Sequence, residues 1–442
     1  MELSDIDSLI TGKIDPLGPG VAVAVAREGA VLYQQGHGLA NLEWGEPLAP
    51  DTVLALGSLT KPFTAQAVLL LELAGKLRIE DSIASYLPEV RWLDPSVTIY
   101  HLLTHTSGIA NYVTQTGFWE RVAHGDYSRE ALADHIGALQ PDFPPGAAYS
   151  YSNSGYHLLG MLIEAVSGEP YDLFLRTAIF APVGMAETRY LWHDEIVPRR
   201  AGGYELSEGV QSQQTYRHAP YLSATLTGPG GGVGSTLQDL LRWDAAIQEH
   251  RLLPAEVESR RRMPVQLRDG RRMGYGLGWG LSEYRGRSVV HHAGGVPGFS
   301  SFFGHFVDGG LTIIALANLG GFDAAGLAAE IANVALDLPV PEQIRAQVPA
   351  ADLMAAEGVY ANLVGERLQV ARSGERLELR GSRSGEFVPV GDSVFASVDD
   401  PDVTIHFEDR DSAGYSRARV VMPFYWYAVG RVEETAAAGT EP

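Results

Sequence analysis

The chain has 442 residues, 45% hydrophobic and 20% charged, with a formal net charge of −21 and no cysteine. That composition supplies a sizeable core, and the excess of acid argues against nucleic acid or anionic lipid as a partner, since both would be repelled. The lack of cysteine excludes disulfides, thiolate zinc sites and cysteine nucleophiles.

The opening residues, MELSDIDSLITGKIDPLG, carry acids where a signal peptide needs positive charge. No uninterrupted apolar run of about 18 residues follows, so no membrane span and a cytoplasmic location are expected. Residues 20–27 (GVAVAVAR) and 31–34 flank the turn-like Glu28-Gly29 and read as a hairpin. Residues 62–77 are apolar on most faces, as in a buried helix, and 156–167 and 323–336 also read as helices. Strands are expected at 288–291, 299–307 and 311–317, with Asp308-Gly309-Gly310 turning between the last two. These strands and the N-terminal hairpin predict one antiparallel sheet built from both ends of the segment. Near residue 340 the composition shifts. LPVPEQIRAQVPA holds three prolines and reads as a linker, placed at 341–350. Strands are then expected at 368–371, 377–380, 387–390, 403–407 and 419–432, with turns at Ser373-Gly374 and 411–414. Their spacing suggests a small antiparallel barrel over 351–442, following a first domain at 1–340. The terminal AAAGTEP is expected to fray.

Three short motifs carry chemistry. Ser58-Leu59-Thr60-Lys61 stands where an apolar approach meets the buried helix, so lysine and serine share one helix face. A serine hydroxyl is a weak nucleophile without an adjacent base, and a lysine held in a dry cleft loses its proton more readily. A lysine within so apolar a segment is out of place as a solvated group. Tyr151-Ser152-Asn153 follows Pro144-Pro145-Gly146. A lysine ammonium beside Tyr151 would stabilise its phenolate and let it relay a proton, while Asn153 offers donor and acceptor to a substrate amide. The same tripeptide also reads as a loop with a helix cap. His292-Ala293-Gly294-Gly295 ends one strand and turns into the next. His291 and His292 point to opposite faces, and the glycines let a ligand approach the backbone. Each motif alone also fits ordinary structure.

Taken together, in this order, they resemble the serine β-lactamases, penicillin-binding proteins and their esterase and D-aminopeptidase relatives, in the branch with His-x-Gly as third motif. HLLTHTSGI (101–109), YSNSGYHLLG (151–160), APVGMAET (181–188), GGVGSTLQDLLRW (231–243) and YGLGW (275–279) extend the likeness over residues 18–335. The resemblance implies an α/β fold, an antiparallel sheet flanked by helices plus a helical insert, with the site in the cleft between them. It implies Ser58 as acylated nucleophile, Lys61 and Tyr151 as its activating pair, and Asn153, His292, Gly294 and Gly295 as substrate-binding residues. Backbone N–H groups of Ser58 and Gly295 would form the oxyanion hole. The C-terminal barrel resembles the lipocalin-like add-on domains of the same relatives, either shaping the cleft or serving packing.

The expected substrate is a small ester, amide or D-amino-acid-containing peptide. No cofactor is expected. A penicillin-binding or sensing protein that is acylated without efficient turnover is the alternative. A neutral His292 grips a carboxylate less well than lysine and titrates near about 6.5, which ranks penicillinase work below esters and amides. His101 and His105 have the spacing of a helical zinc pair but lack the partner set, so no metal is expected. Residues 228–232 lack the ending of a phosphate loop and read as a flexible wall of the cleft. No Gly-x-Ser-x-Gly elbow is present.

Overall fold

The computed structural model describes residues 3–115, 117–121, 123–207, 215–339, 346–361, 367–381, 384–412, 414–424 and 426–432. The chain forms two compact units, Met1–Asp337 and Leu338–Pro442.

The first unit is organised by one antiparallel sheet. Its strands are β1 (Val21–Arg27), β2 (Ala30–His37), β3 (Gly280–Tyr284), β4 (Arg287–Val296), β5 (Phe299–Phe306) and β6 (Leu311–Ala317). Among the described residues the spatial order is β3-β4-β5-β6-β1-β2, so both ends of the unit meet at the β6–β1 pair. The valine–alanine run of β1 is buried on both faces, which explains its unbroken apolar character. Ala22 and Ala24 pair with Leu316 and Ile314 and join the main core. Helices α1 (Leu3–Thr11) and α5 (Ala324–Ala335) pack together beside the sheet, α5 against β5 and β6. The helical layer contains α2 (Lys61–Leu73), α3 (Asn153–Ser167) and α4 (Leu237–Gln248). Trp243 of α4 meets Phe63 of α2 at 4.1 Å and Trp279 at 5.5 Å between ring centroids, joining helix to sheet.

Helix α2 stops at Leu73, short of the expected 77. Gly75 takes φ +68°, Gly75 N–H donates to Glu72 O (2.8 Å) and Lys76 N–H to Leu71 O (3.0 Å). That is a Schellman cap, which closes the helix although the apolar pattern continues.

The second unit opens with a short helix, Ala350–Ala356. Among the described residues eight antiparallel strands then close into a barrel: β7 (Gly358–Ala361), β8 (Arg367–Ser373), β9 (Arg376–Gly381), β10 (Gly385–Pro389), β11 (Val394–Ser397), β12 (Thr404–Asp411), β13 (Gly414–Val421) and β14 (Trp426–Val432). Its inside is filled by Leu368, Leu377, Phe387, Phe395, Ile405, Phe407 and Val420. The single strand expected at 419–432 is two strands, broken at Met422-Pro423-Phe424, where proline supplies no N–H to a ladder. β7 and β11 escaped sequence reading because four residues hold too little alternation. Residues 340–345 of the expected linker region and the terminal AAAGTEP lie outside the described residues. Among the described residues no helix is long and apolar enough to cross a membrane.

Candidate active site

Leu56 is held from two sides. Its N–H donates to Val233 O (2.9 Å) and its carbonyl accepts from Ser301 Oγ (2.6 Å). Gly57 then bends the chain at φ +54°, and a Cβ there would stand 2.7 Å from Gly295 N. Only glycine allows both the bend and the approach. Ser58 therefore opens a short 3-10 turn, Gly57–Thr60, that feeds α2 and delivers Lys61 one turn later.

Lys61 is fully buried. Its Nζ lies 3.1 Å from Ser58 Oγ, 2.7 Å from Asn153 Oδ1 and 2.8 Å from Gly230 O. Burial holds its pKa well below the ordinary lysine value. A neutral amine has two N–H donors and one lone pair. The donors match the Asn153 and Gly230 oxygens, which leaves the lone pair for the Ser58 hydroxyl proton.

Tyr151 is half-buried, but its hydroxyl is shielded from solvent and accepts or donates no hydrogen bond of standard geometry among the described residues. The lysine Nζ sits 4.7 Å from the centre of its ring. Burial pushes the phenol well above its ordinary pKa, with the neighbouring Ser58 hydroxyl acting against that push. Desolvation thus drives Lys61 and Tyr151 both toward their neutral forms. Burial therefore favours a phenol beside an amine over the phenolate beside an ammonium.

Asn153 begins α3. Its N–H donates to Asn111 Oδ1 (3.1 Å). Ser152 and Ser154 make no conventional helix cap but bond the carbonyls of Ile109 (3.0 Å) and Ala110 (2.6 Å). The tripeptide is thereby pinned to the 104–111 loop.

His292 is buried, and both ring nitrogens are engaged inside the protein. Nδ1 lies 2.6 Å from Ala293 O, which can only accept, so the proton sits on Nδ1. Nε2 then accepts from the Tyr275 hydroxyl at 3.1 Å. Burial is the main cause that pushes the His292 pKa down to about 3, which keeps this tautomer neutral. In this arrangement His292 presents no free nitrogen to the cleft, unlike the expected substrate contact. Gly294 also differs from expectation: a Cβ there would lie 2.0 Å from Leu56 O, so the close approach it permits is the protein's own. Gly295 has open space around it and lines a cavity of about 120 Å³ together with Ser58, Asn153 and Gly230. Tyr112, Phe118, Trp119, Leu222 and Leu226 form apolar walls of that cavity.

Several contributors escaped sequence reading. Gly230, taken as part of a loose wall, supplies a carbonyl to Lys61. Gly228 at φ +49° breaks the helical run so that this carbonyl turns inward. Tyr275 lies in the YGLGW stretch, whose pattern gave no hint of its bond to His292. His101 and His105 do not form a pair. His101 caps the helix Ile99–Leu103 by accepting from Thr98 N–H (3.2 Å), and His105 packs against Tyr151 at 4.2 Å between centroids.

A family model described as Beta-lactamase matches residues 7–336. A protein named penicillin-binding protein 4* from Bacillus subtilis (strain 168) is 33% identical over 67% of this chain and 67% of its own length. A D-aminopeptidase of Gluconobacter oxydans (strain 621H) is 30% identical over 76% of this chain, which spans 62% of that protein's length. Esterase EstB of Burkholderia gladioli is 29% identical over 68% of this chain and 86% of its own length. Among solved structures, the octameric penicillin-binding protein homologue from Pyrococcus abyssi aligns over 97% of this chain and 100% of its own, with a TM-score of 0.68 at 22% identity. That last likeness extends the shared fold to the C-terminal barrel. By the family match and the relative at 33% identity, the chain belongs to the beta-lactamase family, with a β-lactamase/transpeptidase-like fold and hydrolases among its named relatives.

Proposed function

We propose that this protein is a serine hydrolase that cleaves small esters or amides, including D-amino-acid peptides, through an acyl-enzyme on Ser58. The observation that carries this reading is the Lys61 Nζ, buried, shifted toward its neutral form and 3.1 Å from the Ser58 hydroxyl. Lys61 takes the hydroxyl proton while Oγ attacks the substrate carbonyl carbon. The tetrahedral oxyanion is received by the Ser58 and Gly295 N–H groups, a stabilisation worth about 3–4 kcal/mol. On collapse the alkoxide or amine leaves, taking the proton from Lys61 by way of the Tyr151 hydroxyl. Water then hydrolyses the Ser58 ester. Asn153 keeps Lys61 aligned through Oδ1 and turns its amide N–H groups to the substrate. Relatives named D-aminopeptidase and esterase support the substrate class.

A second reading, acylation by a penicillin without release, is favoured by the Bacillus subtilis relative's name. The engaged nitrogens of His292 weigh against it, because they leave that residue no grip on a penicillin carboxylate. Turnover of p-nitrophenyl acetate and nitrocefin, each with Ser58→Ala beside the wild type, separates the two. Ester turnover lost in Ser58→Ala supports the hydrolase, and ester turnover undiminished in that variant removes it.

A further inference from the structure

His105 reaches Tyr151 from three directions. Its carbonyl accepts the N–H of Ser150 at 3.0 Å. Its Nδ1 accepts the N–H of Ser152 at 3.1 Å. Its ring lies against the Tyr151 ring, 4.2 Å between centroids and 35° between planes. One residue thus binds the backbone on both sides of Tyr151 and packs on its side chain.

This grip requires an unusual backbone. His105 has φ +57°, a left-handed conformation uncommon among residues other than glycine. The turn aims the carbonyl and the ring at the same segment. The loop that carries it is itself tied down, Thr106 N–H to His101 O at 2.9 Å and Gly146 N–H to Thr106 O at 2.7 Å. Further contacts fix the ring plane: Tyr156 at 5.1 Å and Tyr275 at 4.8 Å between centroids. Because Nδ1 accepts a backbone N–H, the ring proton is on Nε2, and a doubly protonated ring would break the bond to Ser152. Burial holds the ring's pKa well below the ordinary histidine value and so favours the neutral form.

We infer that His105 is the positioning residue for Tyr151, holding its phenol where it can hand a proton to the leaving group. This rests on the role given to Tyr151 above. Among the described residues the Tyr151 hydroxyl has no hydrogen bond of standard geometry, and its neighbour there is the Ser58 hydroxyl, so the ring and the flanking peptides carry much of its placement. His105 supplies contacts to both.

The test uses His105→Gly, which keeps the left-handed backbone and the carbonyl but removes the ring and the acceptor. His105→Asn tolerates the same backbone and restores an acceptor. Two substrates with one acyl group are compared, a p-nitrophenyl ester and a simple alkyl ester whose leaving alkoxide needs a proton. His105→Gly is expected to lower kcat for the alkyl ester about 100-fold, as for a catalytic group displaced by about 1 Å, with KM little changed. The p-nitrophenyl ester should suffer much less, and His105→Asn should recover part of the loss. In a Tyr151→Phe background the same His105 change should cost no more than about 2–3-fold, since the two act as one unit. Equal losses on both esters, repeated in full on top of Tyr151→Phe, would make His105 a merely structural residue and overturn the inference. Should His105→Gly melt below the assay temperature, the same comparisons are read from His105→Asn. Full activity in Tyr151→Phe alone would instead remove the role given to Tyr151, and the inference with it. An impaired Tyr151→Phe beside an unimpaired His105→Gly would remove only the inference.

Discussion

Replacing Lys61 with arginine separates a lone pair from a charge. A guanidinium stays protonated at any working pH and has no lone pair to take the Ser58 proton. If charge alone mattered, Lys61→Arg would retain activity. If the amine is the base, its loss should cost about 10²–10⁴-fold, or about 3–5 kcal/mol at about 1.36 kcal/mol per decade. The site has little slack for the larger head. A Cβ on Gly230 would already stand 3.4 Å from Nζ, so overpacking should add about 1–3 kcal/mol of instability. Lys61→Met is the companion variant, similar in length and uncharged. It leaves the Asn153 and Gly230 oxygens without their donor, about 1–3 kcal/mol each, offset in part by removing a buried amine. Both variants should lose at least about 100-fold in kcat/KM on p-nitrophenyl acetate, measured at a temperature where each stays folded by thermal melt. A Lys61→Arg enzyme keeping more than about a tenth of wild-type kcat/KM would refute the lone-pair argument.

Tyr275→Phe should cost about 1–3 kcal/mol in denaturant unfolding, because the buried Nε2 of His292 loses its donor; unchanged stability would show that the bond contributes nothing. The kcat/KM of the wild type should rise with pH as Lys61 loses its proton and level off well below lysine's usual value of about 10.4. A profile still climbing at pH ~10 would mark Lys61 as an ordinary ammonium. His157 and His291 are pushed down to about 4 and His292 to about 3 by burial. Unfolded histidines bind a proton below pH ~6.5 while these stay neutral, so stability should fall as pH drops from ~6.5 toward ~4, by up to about 1.4 kcal/mol per pH unit for each group. A flat unfolding free energy over that window would contradict their burial as neutral rings.

The motifs were legible because each packs its chemistry into a few consecutive residues on one element. Ser58 and Lys61 needed only helix spacing to be paired, and the β1 hairpin showed in its valines. What could not be read were contacts made across the chain. Gly230 meets Lys61 from 169 residues away, and His105 meets Ser152 from 47. Nothing local to Gly230 says which way its carbonyl turns, and the spacing of His101 and His105 gives no sign of the left-handed backbone that turns His105 onto Tyr151. Burial of Lys61 was legible from its apolar segment and favours the neutral amine as expected, whereas the burial of Tyr151 favours its phenol over the phenolate. In the barrel, alternation revealed the longer strands and failed at the shortest.

Covalent capture decides the mechanism most directly. The intact protein should gain the mass of one phosphonyl group from a fluorophosphonate, the label should map to the peptide containing Ser58, and Ser58→Ala should stay unlabelled. A label that persists in Ser58→Ala, or that maps to another residue of the wild type, would mean that the bond-forming oxygen lies elsewhere.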